Sequence, residues 1–422
     1  MLSRSVETVF IVGAGFSYHA GLPLTSKFTD AILEAREFSG GPSRMLVDFL
    51  GRFIHDAFDR STKAGGKKWP ELEDIFTCVD LSANSGHHLG SSFAPADLRT
   101  VRRAMLSRIT RMLHQKYEEG RKKKDSDWKK LDDFFACIDL TRVGFISMNW
   151  DTVIERKLRV TPQNPLVDYC CDALRADIPD PPEEYYHSKK AYVDEKDYFW
   201  AKSEYMKLGN VGQIIEVGAL PVNRKVVDRS IPIVKIHGSA NWLYCDNCRQ
   251  LFWFDPRHSL RIADQLIRSD DLERIKALLT RKEKEIEGAI KKLRFQPRVR
   301  CLCSEDVALG TRIATFSYRK ALEFPMFQKS WFAAEELLCA ADKWVFIGYS
   351  LPAADYEFKY LLKRTQLSGR RQPPLFIVIS GGAKDDVDAA YDKYQRFFGK
   401  AINKSSFFSS GLSQEAVTAI CR

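Results

Sequence analysis

Four apolar runs are each followed by a group able to move protons or hold a polar ligand. Asn149 and Asp151 come after VGFISM, His237 and Gly238 after IPIVKI, and Ser350 and Asp355 after WVFIGY. Ser17 follows TVFIV and its glycines Gly13 and Gly15. An amide, a carboxylate, an imidazole and a hydroxyl are the parts of a general-base site. A neutral imidazole, with an ordinary pKa of about 6.5, can accept a proton from a hydroxyl or a water near neutral pH. An uncharged amide can donate to a ligand oxygen or position a water. Each group also has a plainer use: Asn149 or Asp151 can cap the helix that begins TVIERKL, and a lone histidine is commonly a surface or core residue. The shared place behind a strand is what favours the chemical reading.

The elements that must position these residues are legible in outline. TVFIV is β-branched and aromatic without polar interruption, which suits a strand buried on both faces of a parallel sheet. Gly13 and Gly15 permit a sharp turn and a close backbone approach, and a helix beginning near Ser17 would aim unpaired N–H groups at the same spot, forming a phosphate seat. The fingerprint GxGxxG is only partly met, because Tyr18 stands at the third glycine, and an ordinary strand ending in a glycine turn fits as well. FTDAILEAREF continues helically to about Phe38 and SGGP closes it. Residues 45–138 read as a helical insertion, with STKAGGKK and SANSGHHLGSS as its loops. The runs VGFISM, IPIVKI, WVFIGY and LFIVIS then alternate, in the later part, with the helices SWFAAEELLCAA and DYEFKYLLKRTQL. That pattern predicts an α/β fold, a Rossmann-like open parallel sheet with helices on both faces, with ligands bound beyond the carboxyl ends of its strands.

The division follows from these elements. One catalytic domain covers 1–422, with a return to the sheet over 139–244, an irregular insertion at 162–223, a small insertion at 245–304, the end of the core at 305–400 and a tail at 401–422. The small insertion carries YCDNC and RCLC, hence Cys245, Cys248, Cys301 and Cys303. Four thiolates suit a tetrahedral structural zinc with no open position for water. Fifty-two residues separate Cys248 from Cys301 and the second pair has CxC spacing, so two unrelated pairs of thiols remain the alternative.

Composition narrows the class. The chain has 422 residues, 45% of them hydrophobic, and no apolar run approaches the ~20 residues of a membrane span. The N-terminal run lacks a signal-peptide cleavage pattern and reads as the first strand. Ten cysteines are scattered, two of them adjacent at Cys170 and Cys171, which fits a reducing cytoplasm better than a secreted disulfide scaffold. The net charge of +10 gathers in GRKKKDSDWKK from Gly120 and RKEKEIEGAIKKLRF from Arg281, the second with Glu and Lys at the spacing of a solvated helix face. Neither has the interleaved aromatics of a nucleic-acid stacking platform, so direct nucleic-acid binding is not expected.

Taken in order, GAGFSYHAGLP, SMNWD, KIHGSANW and GYSLP resemble the silent-information-regulator or sirtuin superfamily, specifically its divergent bacterial sirtuin-like branch, over about residues 8–360. The resemblance implies a domain that takes NAD as substrate and breaks its nicotinamide–ribose bond. Gly13, Ala14, Gly15 and Ser17 would line the pyrophosphate, with Pro23 and Gly238 also on the cofactor. Asn149 and Asp151 would face the nicotinamide ribose and carboxamide, His237 would be the base, and Gly348 and Ser350 would hold the adenosine side. Many sirtuins also carry a zinc ribbon after the histidine motif, where Cys245 and its partners stand. Protein-deacylating members continue GIPDFR where this chain has GLPLTSKF, and QNID where it has MNWD. Those departures speak against acyl-lysine chemistry and leave NAD hydrolysis, as in NAD-degrading effectors of anti-phage defence. A deacylase or ADP-ribosyltransferase is the alternative enzyme, and a non-catalytic NAD-binding assembly subunit the alternative class. The compact layout resembles proteins that act beside a HerA-type DNA-translocating ATPase, which implies a cytoplasmic bacterial homo-oligomer with such a partner.

Overall fold

The computed structural model describes residues 6–34, 41–58, 69–176, 230–279, 325–368 and 374–421, with the backbone of 214–217 and shorter pieces between 289 and 310. The loop STKAGGKK, the helix end expected near Phe38, most of 162–223 and most of the basic stretch from Arg281 lie outside the described residues.

The strands are β1 (Thr8–Val12), β2 (Val143–Ser147), β3 (Leu166–Asp168), β4 (Leu174–Ala176), β5 (Ile214–Val217), β6 (Ser230–Lys235), β7 (Trp242–Tyr244), β8 (Leu251–Phe254), β9 (Arg298–Cys301), β10 (Lys343–Ile347), β11 (Leu375–Ile379) and β12 (Phe407–Phe408). Seven of them form one sheet in the order β12-β11-β10-β1-β2-β6-β3, and every pairing in it is parallel. Alternate residues serve two separate cores. Phe10, Val12, Phe145 and Val345 pack on one face with Phe134 and Phe135, whereas Val9, Ile11, Ile146 and Trp344 pack on the other with Leu337 and Leu361. With both faces covered by helices, most strand positions take apolar side chains, which accounts for the apolar runs, and the buried polar exceptions Ser147 and Lys235 stand at the carboxyl ends of β2 and β6.

The chain leaves β1 for β2 and β6 on one side before crossing back to β10 on the other. The boundary between β1 and β10 is therefore where the strand order reverses and where a crevice opens beyond the carboxyl ends. Helices α1 (Ala14–Tyr18), α2 (Phe28–Ile32), α3 (Pro42–Ala57), α4 (Leu72–Ser85), α5 (Pro95–Lys123) and α6 (Ser126–Cys137) separate β1 from β2. The long helix expected behind the glycine turn is thus broken: α1 starts at Ala14, ahead of the expected Ser17, and Gly21 turns the chain at φ +85° before α2. A left-handed turn there suits glycine.

Helix α7 (Val153–Val160) follows β2. Within the stretch expected to be irregular, β3 extends the main sheet and β4 pairs with β8. The cysteine-bearing insertion is no isolated ribbon, for its helices α8 (Ser259–Gln265) and α9 (Ser269–Leu278) dock on α5. Ser107 donates to the Ala263 carbonyl at 2.8 Å, Thr100 to Asp271 at 2.6 Å, and Arg111 and Arg103 pair with buried Asp264 and Asp271. Helices α10 (Pro325–Ala340), α11 (Tyr356–Gln366) and α12 (Lys384–Phe398) flank β10 and β11.

The tail is structural. It contributes β12 to the sheet and α13 (Gln414–Cys421), which buries Ala416, Val417 and Ile420, and Cys137 at the end of α6 is disulfide-bonded to Cys421. The two cysteines are 284 residues apart in sequence, and only the packing of α13 on α6 brings them together. No helix among the described residues is long and apolar enough to cross a membrane.

Candidate functional site

Because β1, β2, β6 and β10 run parallel, their following loops meet at one edge of the sheet. There they line a cleft of about 170 Å³ that opens to solvent. Of the residues expected in the site, Ala14, Ser17, Pro23, Asn149, Asp151, His237 and Ser350 line it. Gly13, Gly15, Gly238 and Gly348 do not. Three carboxylates, Glu73, Asp151 and Asp355, are among the described residues that line the cleft, and no lysine or arginine is among them.

The glycines serve the crossing of two chain segments. A Cβ on Gly13 would stand 2.5 Å from the Gly348 carbonyl oxygen, and one on Gly15 would stand 2.7 Å from Gly348 Cα. Gly348, at φ +59°, would press a Cβ to 2.4 Å from the Gly15 backbone. The Gly15 amide donates to the Gly348 carbonyl at 3.0 Å, so it is committed within the protein rather than aimed at a ligand. Gly238, at φ +81°, makes the turn that follows β6.

Behind β2, the side chains interlock. Asn149 Nδ2 donates to the Gly13 carbonyl at 2.8 Å and to Ser17 Oγ at 2.9 Å, and Ser17 Oγ donates to Asp151 Oδ2 at 2.6 Å. Both amide hydrogens of Asn149 are thereby engaged, which leaves its Oδ1 as the atom it offers. Of the two uses expected of Asn149, donating to a ligand oxygen or positioning a water, this arrangement favours the second. Asp151 Oδ1 accepts from the Val153 amide at 2.9 Å, so this carboxylate caps α7 while it orients Ser17. Lys235, buried under the loop, donates to the Asp151 carbonyl and lies 3.4 Å from Glu155.

His237, buried to 8% exposure, donates from Nδ1 to the Met148 carbonyl at 3.0 Å and turns Nε2 toward Asp355 Oδ1, 3.4 Å away. Asp355 Oδ2 accepts from the Tyr349 hydroxyl at 3.0 Å, and the Tyr349 carbonyl accepts from Tyr394 at 2.7 Å. Burial, with Asp355 beside it, pushes the Tyr349 hydroxyl well above its ordinary range, so it stays a donor. Sequence reasoning placed Asp355 at a strand end without a task. It passed over Tyr349, whose apolar neighbours mask it, and Glu73, whose helix carries no site signal.

The cysteines that lie far apart in the chain converge. The sulfurs of Cys245, Cys248, Cys301 and Cys303 all lie within 4.8 Å of one another, with Cys245 to Cys303 at 3.5 Å and Cys248 to Cys301 at 3.6 Å. Zinc–sulfur bonds of about 2.3 Å set tetrahedral sulfur–sulfur edges near 3.8 Å, so the set can hold one zinc ion. Asn247 Nδ2 donates to Cys303 Sγ at 3.4 Å, and that hydrogen bond is the main cause that lowers the Cys303 thiol to about 7. Burial pushes Cys301 up to about 12, a thiol that would lose its proton only to a metal.

No family model matches the chain, and no curated protein matches it.

Proposed function

We propose that this chain is an NAD+ glycohydrolase on a Rossmann-like core, cleaving the nicotinamide–ribose bond to give nicotinamide and ADP-ribose. One observation carries the reading: the Asn149 amide and the His237 imidazole, from different strands, line a single cleft at the carboxyl edge of a parallel sheet. Scission of this bond develops positive charge on the ribose, and the carboxylates of Glu73, Asp151 and Asp355 along the cleft favour that charge. With Nδ1 donated to Met148, His237 presents Nε2 as the basic atom for a ribose hydroxyl or an attacking water. Asn149 presents Oδ1 to a water, its amide held rigid by Gly13 and Ser17. Asp151 keeps that arrangement in register. The four cysteines would hold zinc as a structural brace.

The sirtuin-like resemblance extends the proposal to a cytoplasmic effector of bacterial anti-phage defence, acting as a homo-oligomer beside a HerA-type ATPase. Purified protein incubated with NAD, alone and with that ATPase, should release nicotinamide. His237→Ala should lower the rate by about 10²- to 10⁴-fold without unfolding the protein. No nicotinamide from the wild-type chain in any assembly state refutes the reading.

A further inference from the structure

The loop after β2 is fastened to the end of β6 and the loop beyond it through its own backbone carbonyls. The Ser147 carbonyl accepts from the Ile236 amide at 3.1 Å, the Met148 carbonyl from His237 Nδ1 at 3.0 Å and the Trp150 carbonyl from the Ala240 amide at 2.8 Å. The Asp151 carbonyl accepts from Lys235 Nζ. Lys235 ends β6 and is 1% exposed, and its ammonium also lies 3.4 Å from Oε1 of buried Glu155 on α7. Glu155 Oε1 accepts from the Tyr169 hydroxyl at 3.1 Å, and that hydroxyl accepts from Asn241 Nδ2 at 3.1 Å. Lys235 is not among the described residues that line the cleft.

A buried ammonium needs a counterion and hydrogen-bond acceptors to offset its lost hydration, and Glu155 and the Asp151 carbonyl supply them. Both acceptors lie where the loop after β2 enters α7, so the charge neutralised there also fixes that junction. Asp151 is thereby held at three atoms: its carbonyl by Lys235, Oδ1 by the Val153 amide and Oδ2 by the Ser17 hydroxyl. Ser17 Oγ in turn accepts from Asn149, so a rotation of the peptide after Asp151 would carry the carboxylate off Ser17 and release Asn149. His237 stands two residues beyond Lys235, so one strand end carries both the tie and the imidazole. We propose that Lys235 is a positioning residue: from outside the cleft its ammonium holds the Asp151 carbonyl and, through it, sets Ser17, Asp151 and Asn149 against His237. That these groups act on NAD rests on the proposed function, while the tie rests on the geometry alone.

Two variants of the full chain separate positioning from charge balance. Lys235→Met keeps an unbranched stem but strands the Glu155 carboxylate, and should raise the unfolding equilibrium constant by about 10²- to 10³-fold in urea titrations. Lys235→Met with Glu155→Gln removes both charges and should recover most of that loss, since a buried pair is worth little against neutral replacements. The tie to the Asp151 carbonyl stays broken in the double variant. Hydrogen exchange read by mass spectrometry should therefore be about 10- to 100-fold faster there for the amides of 149–153, the lost charged hydrogen bond setting the factor, and unchanged for β10. For NAD hydrolysis, kcat should fall by about 10- to 100-fold with KM within about threefold, because a displaced Asn149 weakens the transition state rather than binding. Wild-type exchange over 149–153 in the double variant, or kcat restored along with stability, would overturn the positioning role. Faster exchange confined to 149–153, with a wild type that releases no nicotinamide, keeps the tie and sinks the hydrolase.

Discussion

Replacing Gly348 by alanine tests the claim that the glycines exist to let two chain segments cross. The new Cβ would lie 2.4 Å from the carbonyl carbon and Cα of Gly15 and from the Phe16 amide nitrogen. Ordinary contact starts near 3.4 Å, so one segment must retreat by about 1 Å, and both are backbone. The residue also sits at φ +59°, where a side chain costs roughly 1–2 kcal/mol. Overpacking adds typically about 1–3 kcal/mol, for a loss of about 2–5 kcal/mol. The assay is urea unfolding of wild type, Gly348→Ala and a control, Gly51→Ala. Gly51 lies inside α3 with nothing within 4 Å of its would-be Cβ, so alanine there should stabilise by about 0.5–1 kcal/mol. NAD turnover should fall in Gly348→Ala beyond its stability loss, because a retreat of α1 carries Ser17 away from Asn149. A cost below about 0.5 kcal/mol at position 348 would refute the crossing argument.

Elemental analysis of the purified protein should find about one zinc per chain, lost in Cys245→Ser along with part of the thermal stability, and a metal-free wild type would count against the four-thiolate site. His114 should make stability pH-dependent. Burial, with Arg156 beside it, lowers its pKa from 6.5 to about 4, so the unfolded chain binds the extra proton between those values. Stability is therefore full above about pH 6.5 and falls by up to about 3 kcal/mol as pH drops toward 4. His114→Gln should flatten that part of the curve of unfolding free energy against pH, and an unchanged slope would show that His114 is not its source.

Much of the frame was legible because it depends on local pattern. Strands buried on both faces leave unbroken apolar runs, and β1, β2, β6, β10 and β11 stand where TVFIV, VGFISM, IPIVKI, WVFIGY and LFIVIS were read. The helical spacing of Leu46, Phe49, Leu50 and Phe53 likewise marked the face that α3 buries. Strand-end placement was enough to nominate Asn149, His237 and Ser350, since parallel strands bring their carboxyl ends to one edge.

What each group does there was decided by partners far off in the chain. That Asn149 commits its hydrogens to Gly13 and Ser17, that Asp151 caps α7, and that Gly15 meets Gly348 are consequences of strand order, which no spacing along the chain encodes. The same holds for Asp355 beside His237, for the convergence of Cys245 with Cys303, and for the bond from Cys137 to Cys421. Periodicity is written in the backbone's local geometry and survives in one dimension. A hydrogen bond extends about 3 Å through space between residues whose separation in sequence is arbitrary, so the tertiary packing alone selects which donors meet which acceptors.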